Sequence, residues 1–225
     1  MKLSVPQNKW KRHWARASVG LALIAVAASV FISSVALALT QDEVRQAYYR
    51  SYTYERMASY EDAIKALIPV FDAYPEGYTV NLRLGWLYYL RGNYANAIEH
   101  YRKAGRLSPL SLEARLGLLN PLIAQDRVQE AIDLSRQILE IDRYNYTANL
   151  RMVTLLRRQG KRDIAERLCL DVLAVYPADV LFLAELGQIK ADLNQTSSAT
   201  AIFNDVLTLD PENIVAKRYL KQNSP

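Results

Sequence analysis

Apolar side chains recur along most of this chain at helical spacing, and the helices they imply come in pairs. Within Tyr78–Pro109, Leu84, Gly85 and Tyr88 fall on one face of a first helix. Gly92-Asn93 interrupts it. Tyr94, Ala97, Ile98, Tyr101 and Ala104 then form the apolar face of a second helix. Pro109 ends the unit, because proline cannot continue a hydrogen-bond ladder. The layout returns every 34 residues: Ala63, Ala97, Ala131, Ala165 and Ala199 keep this step, and so do Pro75, Pro109, Arg143, Pro177 and Pro211. Two columns in one register predict an array of helix pairs, each burying its apolar face against its neighbours.

The recurring residue types have physical causes. Gly85, Gly187, Ala97 and Ala131 let helices approach closely, and bulk there would force them apart at about 1–3 kcal/mol. The turns between paired helices fall at Ala58, Gly92, Asp126, Gly160 and Asn194. Gly, Asn and Asp accept the left-handed conformation that ends a helix. Alanine accepts it poorly, so the first turn is expected to be the least tight. Pro69 and Pro121 fall inside helices and are expected to kink them. Where Arg143 replaces the closing proline, Tyr144-Asn145 is expected to supply the turn. A final helix is expected over Asn213–Lys221. There Lys221 takes the place of the glycines and cannot pack under a further unit, which makes this helix a polar cap.

The succession Leu-Gly-x-x-Tyr, then Ala, an aromatic, Ala and Pro, resembles the tetratricopeptide repeat. The resemblance covers about Val44–Pro211 in five copies, near 44–77, 78–111, 112–145, 146–179 and 180–213. The copy at Val180 keeps Leu186, Gly187, Ala199, Phe203 and Pro211; the first and fourth keep fewer. It implies an all-α fold, a right-handed superhelical solenoid of helical hairpins. It also implies a concave groove, lined by the first helices, that takes extended peptides or partner helices.

Ahead of the repeats lies a different kind of sequence. Residues 2–18 are basic, Val19–Leu39 is uncharged and apolar, and Ala36-Leu37-Ala38 has the small-x-small form of a signal-peptidase site. Residues 1–38 are therefore expected to be a signal peptide. The alternative is a retained anchor: 21 residues at ~1.5 Å each span ~30 Å of hydrocarbon. Either way the repeats cross the membrane, with a periplasm as the expected destination. Residues 39–43 lead into the array and 212–225 hold the capping helix and tail.

This division changes the reading of charge. The net charge is +5, but Lys2, Lys9, Lys11, Arg12 and Arg16 supply five of 28 basic residues, and the remaining 23 equal the 23 acids. The repeats are formally neutral, so a nucleic-acid partner is not expected. Contact with a membrane is expected only through an uncleaved leader.

Angular position on the first helices predicts the groove. Opposite the packing face of the second unit stand Thr79, Leu82, Arg83, Trp86 and Tyr89. The same places hold Arg45, Tyr48, Tyr49, Tyr52 and Glu55 one unit earlier. They hold Glu113, Leu116 and Asn120 in the third unit, and Leu150, Arg151, Thr154 and Arg157 in the fourth. Eleven of the 15 tyrosines lie between Tyr48 and Tyr101. Tyr, Trp and Arg dominate binding hot spots. The candidate partner site is therefore Arg45, Tyr48, Tyr49, Tyr52, Arg83, Trp86, Tyr89, Asn120 and Arg151. Some partners implied by the resemblance end in an acidic motif held by a Lys/Asn clamp. Asn120 and Arg151 match parts of that clamp, but its Lys places hold Tyr48 and Thr147, which argues against that mode.

Signals of catalysis are missing from the sequence. His100 is the one histidine of the repeats and reads as a surface or packing residue. Cys169, the single cysteine, sits in an apolar helical stripe and reads as a buried hydrophobe. No metal or cofactor is expected. The function expected is a non-enzymatic exported adaptor for a protein or peptide partner. A carbohydrate-contacting module and an architectural, oligomerising component stand as alternatives.

Overall fold

The computed structural model describes residues 39–223, all helix and turn. The predicted leader lies outside them. The chain divides into Met1–Val44 and Arg45–Pro225. Within the first, Thr40 and Glu43 form a capping box, each side chain reaching the other's backbone N–H (3.2 and 2.7 Å).

Among the described residues, twelve helices follow in order. The first unit holds α1 (Gln41–Arg56), α2 (Tyr60–Lys65) and α3 (Ile68–Ala73). Four regular pairs are α4 (Tyr78–Leu90) with α5 (Tyr94–Leu107), α6 (Leu112–Ala124) with α7 (Val128–Ile141), α8 (Tyr146–Arg158) with α9 (Arg162–Leu173), and α10 (Val180–Asp192) with α11 (Thr196–Leu209). The last is α12 (Ile214–Gln222). From α4 onward each helix packs on the next in sequence, and first helices also touch across units, α4 on α6 and α8 on α10. This is a helical-hairpin solenoid. Ala63, Ala97, Ala131, Ala165 and Ala199 are all completely buried at the seams, as small residues at close helix approaches must be.

A second buried column explains how unequal repeats fill equal space. Ser51 pairs with Leu67, Gly85 with Tyr101, Leu119 with Ser135, Val153 with Cys169 and Gly187 with Phe203. These residues keep the same two repeat positions, and all are buried. Wherever the first helix carries glycine, the second carries an aromatic ring; wherever the first carries Leu or Val, the second carries Ser or Cys. A Cβ at Gly187 would stand 2.8 Å from the Phe203 ring, and one at Gly85 would stand 2.9 Å from Tyr101. The sum of volumes is kept while the partition changes, as close packing requires.

The five interhelix turns are alike. Ala58, Gly92, Asp126, Gly160 and Asn194 all have positive φ (55°, 84°, 56°, 75° and 59°). Each turn closes with the same backbone bond, Ser59 N to Tyr54 O at 2.9 Å in the first and Asn93 N to Tyr88 O at 2.8 Å in the second. The expectation of a looser first turn is therefore wrong: the closing bond requires a left-handed residue, and Ala58 adopts that conformation despite the steric cost. Ala58→Gly should accordingly stabilise the protein by about 0.5–1 kcal/mol, read as a higher urea midpoint.

Pro69 does more than kink its helix. The ladder breaks at Ala66-Leu67, where Leu67 N bonds Ile64 O in a tighter turn, and Pro69 enters the first turn of α3, where a missing N–H is harmless. The predicted single helix is two. Pro121, by contrast, lies inside α6, which continues through it to Ala124. At Arg143 the chain turns as it does at the prolines. Asp142 is extended (φ −134°), like Ser108 and Asp210 before Pro109 and Pro211, and its carboxylate accepts Tyr144 N–H at 3.2 Å. Asn145 then caps α8 through Ala148 N–H at 3.1 Å. At the far end Tyr219 of α12 closes the core against Phe203 (ring centroids 4.6 Å), while Lys221 is exposed.

Candidate functional site

Three first helices, α1, α4 and α6, bring one cavity together. Its volume is about 580 Å³. Tyr48 and Tyr52 come from α1, Tyr78, Thr79, Leu82, Arg83 and Trp86 from α4, and Glu113, Leu116, Gly117 and Asn120 from α6. Tyr101 reaches it from α5 and Thr147 from α8. Of the nine residues predicted for the partner site, Tyr48, Tyr52, Arg83, Trp86 and Asn120 line it. Tyr89 lies outside the lining, its ring 5.7 Å from Trp86 and 5.9 Å from Tyr94. Arg45, Tyr49 and Arg151 are exposed and also lie outside the lining.

Arg83 lines the cavity as its angular position suggested, but its charge is already paired. It is 8% exposed, and its guanidinium meets the Glu55 carboxylate at 2.5 Å and Ser51 Oγ at 3.3 Å. Its central carbon lies 3.8 Å from the centroid of the Tyr52 ring. Glu55 also accepts the Trp86 indole N–H at 2.6 Å. The charge expected for a partner is thus neutralised within the fold. Glu55 joins the arginine, the indole and the two helices that carry the cavity wall.

Two lining tyrosines were not in the predicted site. Tyr101 read as a packing residue only. It reaches the cavity because Gly117 stands where Arg83, Arg151 and Glu185 stand in other units. A Cβ there would overlap the Tyr101 ring. Glycine at an otherwise large-residue position was the available sequence signal. Tyr78 places its hydroxyl 2.7 Å from Ser111 Oγ and donates to Glu113 Oε2 at 3.2 Å. Burial pushes the Tyr48, Tyr78 and Tyr101 hydroxyls up from their ordinary pKa, and Glu113 adds to this at Tyr78 and Tyr101. All three are neutral phenols at physiological pH.

Cys169 and His100 lie outside the cavity lining and are packed against their neighbours. Cys169 is fully buried, its thiol donating to Phe182 O at 3.1 Å, and burial pushes it up to about 12. Among the described residues no three His, Cys, Asp or Glu side chains group as a metal site. His100 stacks on Tyr88 (5.3 Å) with its edge to Phe71 (5.2 Å). Asn81 donates its amide to Pro75 O and Gly77 O, so its Oδ1 accepts from His100 Nδ1 at 3.0 Å. Burial lowers the His100 pKa from 6.5, against the pull of Glu99. The unfolded chain therefore binds the proton more readily. Stability should be full above about pH 6.5 and fall as pH drops toward 5, ahead of carboxylate titration. The urea midpoint should show this slope, and His100→Gln should flatten it.

Paired helices at a fixed step around a concave aromatic wall define a class of proteins, the helical-repeat solenoids. The sequence matches the tetratricopeptide repeat over residues 48–111 and 150–214, and the chain belongs to that family. Solved structures share the fold. YrrB, described as a TPR protein with an unusual peptide-binding site, is 15% identical over 80% of this chain and 94% of its own, with a TM-score of 0.66. MamA from Desulfovibrio magneticus RS-1, from residue 41 to its end, is 14% identical over 78% and 99%, with a TM-score of 0.70. The thermophilic TPR protein TTC0263 of Thermus thermophilus is 16% identical over 80% and 97%, with a TM-score of 0.57. No curated protein sequence matches the chain.

Proposed function

We propose that this protein is a non-enzymatic, exported adaptor that holds a segment of a protein partner in its concave groove. The observation that carries the reading is the cavity between α1, α4 and α6, where five aromatic rings from α1, α4 and α5 converge beside polar side chains. Aromatic anchors in a concave, mostly apolar site are what concentrates binding energy at protein interfaces. Family membership and the peptide-binding description of YrrB agree with it. Export rests on the leader sequence alone: the adaptor works in the periplasm, or at the inner membrane if residues 1–38 are retained.

The test is affinity purification of the tagged full-length protein from its own envelope, with mass spectrometry, beside the double variant Tyr52→Ala, Trp86→Ala. A partner recovered with the wild type should be lost with the variant while far-UV dichroism keeps its helical signal. Equal recovery with both would remove the groove from the function. A glycan retained on an array in a Trp86-dependent way would put the carbohydrate reading in its place.

A further inference from the structure

We infer that the groove is a seat for a cation: the partner segment presents a lysine or arginine side chain to the cavity, with Glu113 as its counter-ion. This rests on the groove reading above and gives it a chemistry.

Charge decides between possible occupants. Two charged residues line the cavity, Arg83 and Glu113. Arg83 is cancelled by Glu55 and buried. Glu113 is exposed, accepts one neutral hydrogen bond from Tyr78, and has no cation within ion-pair distance among the described residues. The uncompensated charge of the lining is therefore one negative. A carboxylate from a partner would meet Glu113 with no available cation in the lining to offset it; Arg45 and Arg151 lie outside. Five aromatic rings make up much of the remaining wall. Aromatic faces attract cations, most strongly where water is excluded. The cavity wall already uses this chemistry, with the Arg83 guanidinium 3.8 Å over Tyr52. Leu82 and Leu116 supply apolar surface for the methylene stem that a lysine or arginine carries behind its charge. The phenols, held neutral, offer hydroxyls and ring faces but no positive charge. Tyr48 and Thr147, at the places where an acid-binding clamp would need lysine, belong to the same lining.

The experiment uses the full-length chain with Trp10→Phe and Trp14→Phe, which leaves Trp86 of the three tryptophans as a reporter inside the cavity. A random peptide library displayed on phage is panned against it, and selected peptides are synthesised and titrated by Trp86 fluorescence. Peptides enriched in Lys or Arg are expected. Replacing that residue by norleucine, or Glu113 by Gln, should each weaken binding by about tenfold, and the two together should weaken it little further. Basic peptides indifferent to Glu113→Gln would overturn the counter-ion. Acidic or purely apolar peptides that still change Trp86 emission would overturn the cation seat and leave the groove standing. If no peptide is selected, or none moves Trp86, groove and seat fall together.

Discussion

Gly187→Leu is expected to destabilise the protein by about 3 kcal/mol, the upper end of the overpacking range, and Phe203→Ser by about 3–5 kcal/mol, yet the two together by far less than their sum. A Cβ at residue 187 already stands 2.8 Å from the Phe203 ring, so a leucine has no room unless α10 and α11 separate. Removing the ring alone leaves a hole beneath glycine, which carries no side chain to fill it. The double variant reproduces the Leu119–Ser135 pair that the third unit already buries completely at these two places. Coupling of roughly 2–3 kcal/mol between the two sites, from urea midpoints of the four proteins, would confirm that each unit partitions one conserved volume. Simple additivity would mean that the size inversion down the array is coincidence. Tyr219 loses its neighbour in the serine variants, so recovery should be incomplete.

That inversion also shows why some of the molecule was legible in the sequence and some was not. The 34-residue step, the alanine seams and the closing turns were readable because each follows from local rules repeated at one spacing. Ala58 broke such a rule and the rule lost: closing the hairpin outweighs one unfavourable φ. Pro69 was located correctly, but its effect depended on whether the neighbouring packing tolerates a break. The groove was half legible. Tyr48, Tyr52, Trp86 and Asn120 follow from angle on a helix. Tyr101 does not, because its reach into the cavity is set by an absent side chain at Gly117, on a helix of the next unit. Nor was the fate of Arg83 visible. Its partner Glu55 lies 28 residues earlier, at a distance that only the stacking of units defines.

The Glu55–Arg83 pair gives the second large effect. Glu55→Ala should cost about 2–4 kcal/mol. Removing one member of a buried ion pair leaves the other charge unpaired, and the loss is moderated here because the Glu55 side chain keeps 22% of its exposure against 8% for Arg83. The same variant strips the Trp86 indole of its acceptor, so emission from residue 86 should shift along with the urea midpoint. The array itself supplies the comparison that separates charge from shape. Three repeats on, the same two places hold Arg157 and Glu185, bonded at 3.0 Å in the reverse order, with Thr154 donating to Glu185 at 3.0 Å as Trp86 donates to Glu55. The array therefore holds both polarities, each at its own seam. Glu55→Arg with Arg83→Glu should recover more than half of the stability lost in Glu55→Ala, whereas Arg83→Glu alone should be worse than either, with two carboxylates facing across the seam. Replacing both by Leu and Met should lie within about 1 kcal/mol of the wild type, since buried pairs contribute little beyond an apolar pair of equal volume. A reversed pair no more stable than Glu55→Ala would show that the second seam depends on the particular fit of Glu55 to Trp86, and that the correspondence with Arg157–Glu185 is one of position only.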